Sequence, residues 1–175
     1  YYNQTIVDDF KWFIDKLLTH VNPYTNLTYA EDPTIFAFES GNELHGQHWM
    51  DKNCPPEWIQ DIARFVKGYA PQTLFVDGTY GINASHFAIE EVDIFSDHFY
   101  PPDAARLQEG IDLVASTDRA YFAGEYDWTG LNGGDDIQDF YEVLDSSDIT
   151  TGSAFWSLFG RNLPNCNVSA SVLDV

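Results

Sequence analysis

Between residues 5 and 21 the apolar positions Ile6, Phe10, Phe13, Ile14, Leu17, Leu18 and Val21 recur at three- and four-residue steps, which gives a helix one apolar face. Trp12 is read as a core residue of the same helix. The pattern then changes. Thr34-Ile35-Phe36-Ala37-Phe38, entered from Pro33, is a short unbroken apolar run, the signature of a strand buried on both faces. A second helix is predicted from about Pro55 to Tyr69, opened by prolines and packed through Trp58, Ile59, Ile62, Phe65 and Val66. Further strands are expected at Thr73 to Asp77, Asp93 to Asp97, Arg119 to Gly124 and Ser153 to Trp156. Helices fall between them: a short stretch near Ala84 to Glu90, a long one from Asp103 to Ser116 with Leu107, Ile111 and Val114 facing inward, and another from about Asp135 to Leu144.

Regular alternation of strand and helix requires parallel strands with crossover helices, so the choice lies between an open doubly wound sheet and a barrel. No phosphate-binding glycine turn follows any strand, which weighs against the open nucleotide-binding form. Polar and aromatic residues gather instead at strand ends, where a barrel carries its active site. The expected fold is therefore an α/β, (β/α)8 barrel. Five strands cannot close it, so residues 1–175 are read as the C-terminal portion of one catalytic barrel, strands 4 to 8. About three βα units are expected before Tyr1 and a last helix after Val175. No linker or internal repeat divides the chain.

Composition narrows the partners. Eight Lys plus Arg against 28 Asp plus Glu give a formal net charge of −20, which repels nucleic-acid phosphates and anionic lipid heads. No apolar run approaches the length that spans a bilayer. Neither nucleic acid nor membrane is expected as a partner. Four acceptor sequences for asparagine glycosylation occur, at Asn3, Asn26, Asn83 and Asn167, and together they favour a secreted, extracellular glycoprotein. Cys54 and Cys166 fit an oxidising compartment, whether paired with each other, paired elsewhere or free.

Two segments share one scheme. Phe36-Ala37-Phe38-Glu39-Ser40-Gly41-Asn42-Glu43 is a strand followed by an Asn-Glu pair, and Tyr121-Phe122-Ala123-Gly124-Glu125-Tyr126-Asp127-Trp128 is a strand, a glycine, a glutamate and aromatics. Glu43 and Glu125 lie 82 positions apart, three βα units at about 30 residues each, so they face one another across a barrel mouth. Most glutamates in so acidic a chain are solvated surface charges; these two stand out because each follows a buried strand. Glu39 competes with Glu43, but it lies earlier on the strand and is read as a support of the rim.

These segments, with Asp97-His98-Phe99-Tyr100-Pro101 and Phe155-Trp156-Ser157, resemble glycoside hydrolase family 5, with the fungal endo-β-1,4-mannanase-like members nearest by eye. Phe38 stands where those enzymes often place Trp, and Leu44 replaces their usual Pro. The resemblance implies a retaining hydrolase of β-1,4-linked polysaccharide, mannan first, needing no cofactor. It implies Glu43 as acid/base and Glu125 as nucleophile, two carboxyl groups about 5–5.5 Å apart that split the reaction through a glycosyl-enzyme. Asn42 would bond the sugar 2-OH, His98 and Tyr100 would orient the nucleophile and subsite, and Trp156 would offer a ring face to the sugar. Trp128 and Trp49 are further platforms.

Other readings stay open on the sequence alone. A cellulase or β-1,3-glucanase could use the same scaffold, because substrate choice resides in loops. A non-catalytic carbohydrate-binding barrel fragment is the rival from another class, and a second chain or segment could complete the barrel. Glu43, His45, His48 and Asp51 form a compact set of metal-ligand types, but without the H-E-x-x-H order of a helical metal site the segment is read as a polar loop, with no metal.

Overall fold

A computed structural model describes residues 1–46 and 53–157. Five strands form one all-parallel sheet: β1 (Ala37–Glu39), β2 (Leu74–Asp77), β3 (Ile94–Phe99), β4 (Ala120–Tyr126) and β5 (Thr150–Ser153). Their spatial order is β1-β2-β3-β4-β5, the order of the chain. A doubly wound sheet reverses order at a switch point; this one never does, and it follows the course of a barrel wall.

The helices α1 (Gln4–Leu18), α2 (Pro56–Tyr69), α3 (Ala104–Ala115) and α4 (Ile137–Asp145) start where the sequence offers caps. Asn3 accepts from the amides of Thr5 and Ile6, Asp103 from Arg106 and Asp136 from Gln138, while Pro56 opens α2. Ile59, Ile62 and Val66 of α2, Leu107, Ile111 and Val114 of α3, and Phe140 and Leu144 of α4 seal one core with Phe75, Phe95, Phe99, Tyr121 and Tyr126 of the sheet. Each such side chain contributes about 1.5–3 kcal/mol on burial. The interior is therefore heaviest between β2, β3 and β4.

Several expectations need correction. The first predicted strand, 34–38, pairs only from Ala37, and Phe36 is 63% exposed: among the described residues β1 lies at the sheet edge, with β2 its one neighbour. On α1 the buried residues are Val7, Ile14 and Leu18, whereas Ile6, Phe13 and Leu17 are exposed and Trp12 is 63% exposed, because only the face toward α2 and the sheet is covered. Trp58 does pack, stacked on Phe10 with ring centroids 5.8 Å apart. The helical stretch at 84–90 is a single 3₁₀ turn, Ala84–His86, after which the chain turns directly toward β3. The last strand lies at Thr150–Ser153 and not at Ser153 to Trp156, since its polar Thr-Thr-Gly-Ser run pairs with β4 through the backbone and carries no apolar signal. Cys54 is a buried free thiol; Cys166 lies outside the described residues, as do His48, Trp49, Asp51 and Asn167.

Candidate active site

Two backbone irregularities aim the two glutamates. Beyond β1 the chain keeps its grip on β2: Ser40 N–H donates to Val76 O at 3.0 Å, Gly78 N–H to Ser40 Oγ at 2.9 Å, Leu44 N–H to Gly78 O at 3.0 Å and Tyr80 N–H to Leu44 O at 2.9 Å. This zipper fixes the residues flanking Glu43, which sits at φ +49°, in the left-handed region. Such a conformation costs a non-glycine residue about 1–3 kcal/mol and persists where neighbours over-determine it. Gly78 makes the close approach possible, since a Cβ there would collide with the Gly41 carbonyl.

The second irregularity is in β4. Asp97 pairs with Ala123 and His98 with Glu125, so Gly124 is an extra residue opposite the Asp97-His98 step. Side chains alternate along a strand, and one inserted residue reverses which face later ones take. Tyr121 packs toward Gly110 of α3, and Tyr126 toward Phe140 of α4 at 5.1 Å, so both face the helices although they are an odd number of residues apart. The bulge turns Glu125 from the helix side to the interior, beside His98. Only glycine fits: a Cβ on Gly124 would overlap Ser96 Oγ and lie 2.9 Å from His98 Nε2.

The result is a compact trio. His98 Nδ1 lies 2.8 Å from Glu43 Oε1 and 3.7 Å from Glu125 Oε2, and the ligating atoms of Glu43, His98 and Glu125 are all within 4.8 Å of one another. Tyr100 Oη donates to Glu125 Oε2 at 2.9 Å; burial and the hydrogen bond to that carboxylate raise the phenol's pKa, so it stays a donor. Glu39 shares the niche under Glu43 with Gly78, Thr79, Tyr80, Ser96 and His98. Removal from water raises its carboxyl, with His98 opposing and the charges of Glu125 and Asp77 adding, although its exposed edge position screens the effect. Glu39 thus stands behind Glu43, as a third acid of the rim.

The remaining predicted residues lie around this trio. Asn42 is exposed next to Glu43. The Trp156 backbone N–H donates to Tyr126 O at 3.0 Å, which ties this half-exposed residue to the end of β4, one residue beyond Glu125. Trp128, also half-exposed, contacts Phe155 with ring centroids 5.6 Å apart and rides on a turn closed by Asp127, whose Oδ1 accepts from the Thr129 amide and Oδ2 from the Asn132 amide. Burial alone would raise Asp127, but the Thr129 hydroxyl and these amides hold it low. The ligand-type set of the 43–51 loop divides: Glu43 turns to His98, His45 faces Tyr80 at 5.7 Å, and the other two lie outside the described residues.

The sequence reading missed Arg106. Its Nη2 reaches Asp97 Oδ1 and Oδ2 at 2.7 and 2.8 Å, and its guanidinium lies over the rings of Phe99 and Tyr80 at 4.9 and 5.4 Å. Asp97 Oδ1 also accepts from the amides of His98 and Gly81, at 2.8 and 3.0 Å. One buried carboxylate therefore ties α3 to the backbone of His98 and to the loop zipped onto Glu43. A scarce arginine one turn into the helix after an Asp-His strand was the available signal.

A barrel wall whose strand ends hold two facing carboxylates around a histidine defines the class. Residues 1–129 match the GH family 5 beta-mannosidase-like family, and the chain belongs to it. It is similar to mannan endo-1,4-beta-mannosidase 8 of Oryza sativa subsp. japonica, 31% identical over 115 residues, covering 63% of this chain and 31% of the relative. Mannan endo-1,4-beta-mannosidase 5 of Solanum lycopersicum is 34% identical over 84 residues, 46% of this chain and 20% of its own. Among solved structures, the endo-1,4-beta-D-mannanase of Thermotoga petrophila RKU-1 superposes with TM-score 0.80 at 22% identity over 92% of this chain and 56% of that one. The endo-1,4-beta-mannanase of Rhizomucor miehei gives 0.75 at 21% identity over 89% and 54%. These likenesses establish the fold as part of a (β/α)8 barrel. The chain spans less than a third of the length of those two curated relatives.

Proposed function

We propose that this chain supplies the catalytic side of a secreted glycoside hydrolase that cleaves β-1,4-linked mannan by double displacement. The observation that carries the proposal is the spacing of the trio, with the carboxylate oxygens of Glu43 and Glu125 within 4.8 Å of each other. Retaining glycosidases hold their carboxyl groups about 5–5.5 Å apart, whereas inverting ones leave about 6.5–9.5 Å for a water. The spacing here leaves no room for that water and favours direct attack.

In this reading Glu125 attacks the anomeric carbon while Glu43 gives its proton to the departing glycosidic oxygen. Glu43 then takes a proton from water, which displaces Glu125 from the covalent glycosyl-enzyme. Tyr100 holds Oε2 of Glu125 and leaves its other oxygen to attack, and His98 steadies Glu43. Asn42 receives the sugar 2-OH, and the rings of Trp156 and Trp128 offer apolar faces to the chain of sugars. The polysaccharide is the partner. The missing wall of the barrel comes from a further segment or a second chain, and Asn3 and Asn26, both exposed, are the readiest glycan acceptors among the described residues.

The test is made on the intact enzyme. Glu43→Gln and Glu125→Gln should each lower kcat on mannan by a factor on the order of 10²–10⁴ while leaving the fold intact. Azide should restore turnover of an activated substrate with opposite product stereochemistry in Glu125→Ala. Full activity in either variant overturns the assignment, and faster turnover on glucan than on mannan overturns the substrate.

A further inference from the structure

The same trio has the donor set of a metal site. Three ligand atoms held about 2.0–2.2 Å from a tetrahedral ion stand about 3.4 Å apart. The edges here, 2.8 Å from Glu43 Oε1 to His98 Nδ1 and 3.7 Å from His98 Nδ1 to Glu125 Oε2, bracket that value, and the third lies within 4.8 Å. One imidazole nitrogen with two carboxylate oxygens suits a borderline divalent ion of the zinc class better than Mg²⁺ or Ca²⁺, which demand six or more oxygens.

We infer that Glu43, His98 and Glu125 bind one zinc-class ion, and that ion and sugar exclude one another. The ligand side chains are 20%, 8% and 21% exposed, so an ion can reach them while the protein holds them in place. Each ligand rests on rigid support: the zipper flanking Glu43, the Asp97 carboxylate on the His98 amide, and the bulge at Gly124 under Glu125. Tyr100 supplies the outer hydrogen bond that orients a ligating carboxylate, the role such partners take at metal sites. On binding, the ion takes the place of the hydrogen between Glu43 Oε1 and His98 Nδ1; the imidazole keeps its single proton on Nε2, and a proton carried by Glu43 leaves to solvent. Both carboxylates are then withdrawn from chemistry, so the ion acts as an inhibitor and takes no part in the reaction. The charge of −20 favours its approach.

Binding stands on the geometry, and only its inhibitory consequence rests on the hydrolase reading. The experiment is calorimetric titration of the intact, chelator-treated enzyme with ZnCl₂, repeated with MgCl₂, alongside the visible spectrum with CoCl₂. We expect one Zn²⁺ per chain, a nitrogen- and oxygen-ligated Co²⁺ spectrum, and no Mg²⁺ uptake at the same concentration. His98→Gln and Glu125→Gln, each checked for native circular dichroism, should weaken Zn²⁺ at least tenfold; the exposed control His20→Gln should not. Zn²⁺ should raise the apparent KM on mannan, reversibly with chelator. Unchanged Zn²⁺ affinity in both site variants, or Mg²⁺ bound as tightly as Zn²⁺, overturns the site. Zn²⁺ bound by a wild-type enzyme that cleaves no glycan keeps the site and removes the hydrolase reading instead.

Discussion

Two carboxylate–imidazole pairs hang from the middle of this sheet, nearly alike in geometry and opposite in setting. His86 Nδ1 lies 2.6 Å from Asp77 Oδ2, and His98 Nδ1 lies 2.8 Å from Glu43 Oε1. In the first pair the side chains are 0% and 2% exposed, and the other ring nitrogen of His86 lies 2.8 Å from the Cys54 carbonyl. Each ring nitrogen thus has an acceptor, which a doubly protonated ring can use, and the Asn83 side-chain amide also lies 3.2 Å from Nε2. That pair is a strut joining the end of β2, the 3₁₀ turn and the entry to α2. The second pair opens toward Glu125 and the mouth, with an acid on either side of one imidazole. The chemistry of a side-chain pair is thus set by what its remaining lone pairs and protons face.

Breaking the sealed pair should cost stability. Asp77→Asn leaves a buried imidazole without its counter-charge, and loss of one partner from a buried pair costs about 3–5 kcal/mol. Chemical denaturation should show that loss, while kcat per folded molecule stays near wild type. A comparable fall in kcat with unchanged stability would invert the assignment of the two pairs. Gly124→Ala should do the opposite: its Cβ would push on His98 and Ser96, and a displacement of about 1 Å at reacting groups costs roughly 10²-fold in rate. Steady-state kinetics beside a melting curve separates the two responses. Tyr100→Phe removes one hydrogen bond to a charged carboxylate, worth about 1.5–3 kcal/mol, and should lower kcat by roughly ten- to a hundredfold with little change in KM.

The smallest expected effect is a pH dependence of stability. Burial would lower the pKa of His86, but the hydrogen bond and charge of Asp77, the Cys54 carbonyl and the charge of Glu57 raise it overall. A group raised in the folded state contributes fully below its unfolded value of about 6.5, and the contribution is lost as pH climbs through the folded value. The Cys54 thiol, pushed up to about 11 mainly by burial, stays neutral through that window, and Asn83 and Thr79 bear no charge. The melting temperature should therefore fall from mildly acid toward alkaline pH, and His86→Gln should flatten the dependence. A wild-type profile that rises over this range would refute the strut's charge.

The sequence disclosed the open pair of this comparison better than the sealed one. Glu43, Glu125, His98 and Tyr100 could be read because each stands at the end of an apolar strand run, and a strand end is a local pattern. Asp77 was visible as a strand end too, but nothing local ties it to His86 nine residues on, or Asp97 to Arg106, since those pairings exist only once helices lie against the sheet. The outward half of α1 looked like core because periodicity reports apolar spacing and not what covers it. β5 was misplaced because backbone pairing with β4 fixes it, and its side chains leave no hydrophobic trace.

The extra residue at Gly124 has a consequence beyond its own flexibility. Straightened into a regular strand, with Gly124 paired opposite His98, β4 would keep its residues and polarity, yet the parity of everything after Ala123 would reverse. The carboxylate that now meets His98 would be driven among the rings around Phe140, and Tyr126 would take its place at the mouth. The placement of that carboxylate in this fold is a matter of counting, odd or even, along a single strand.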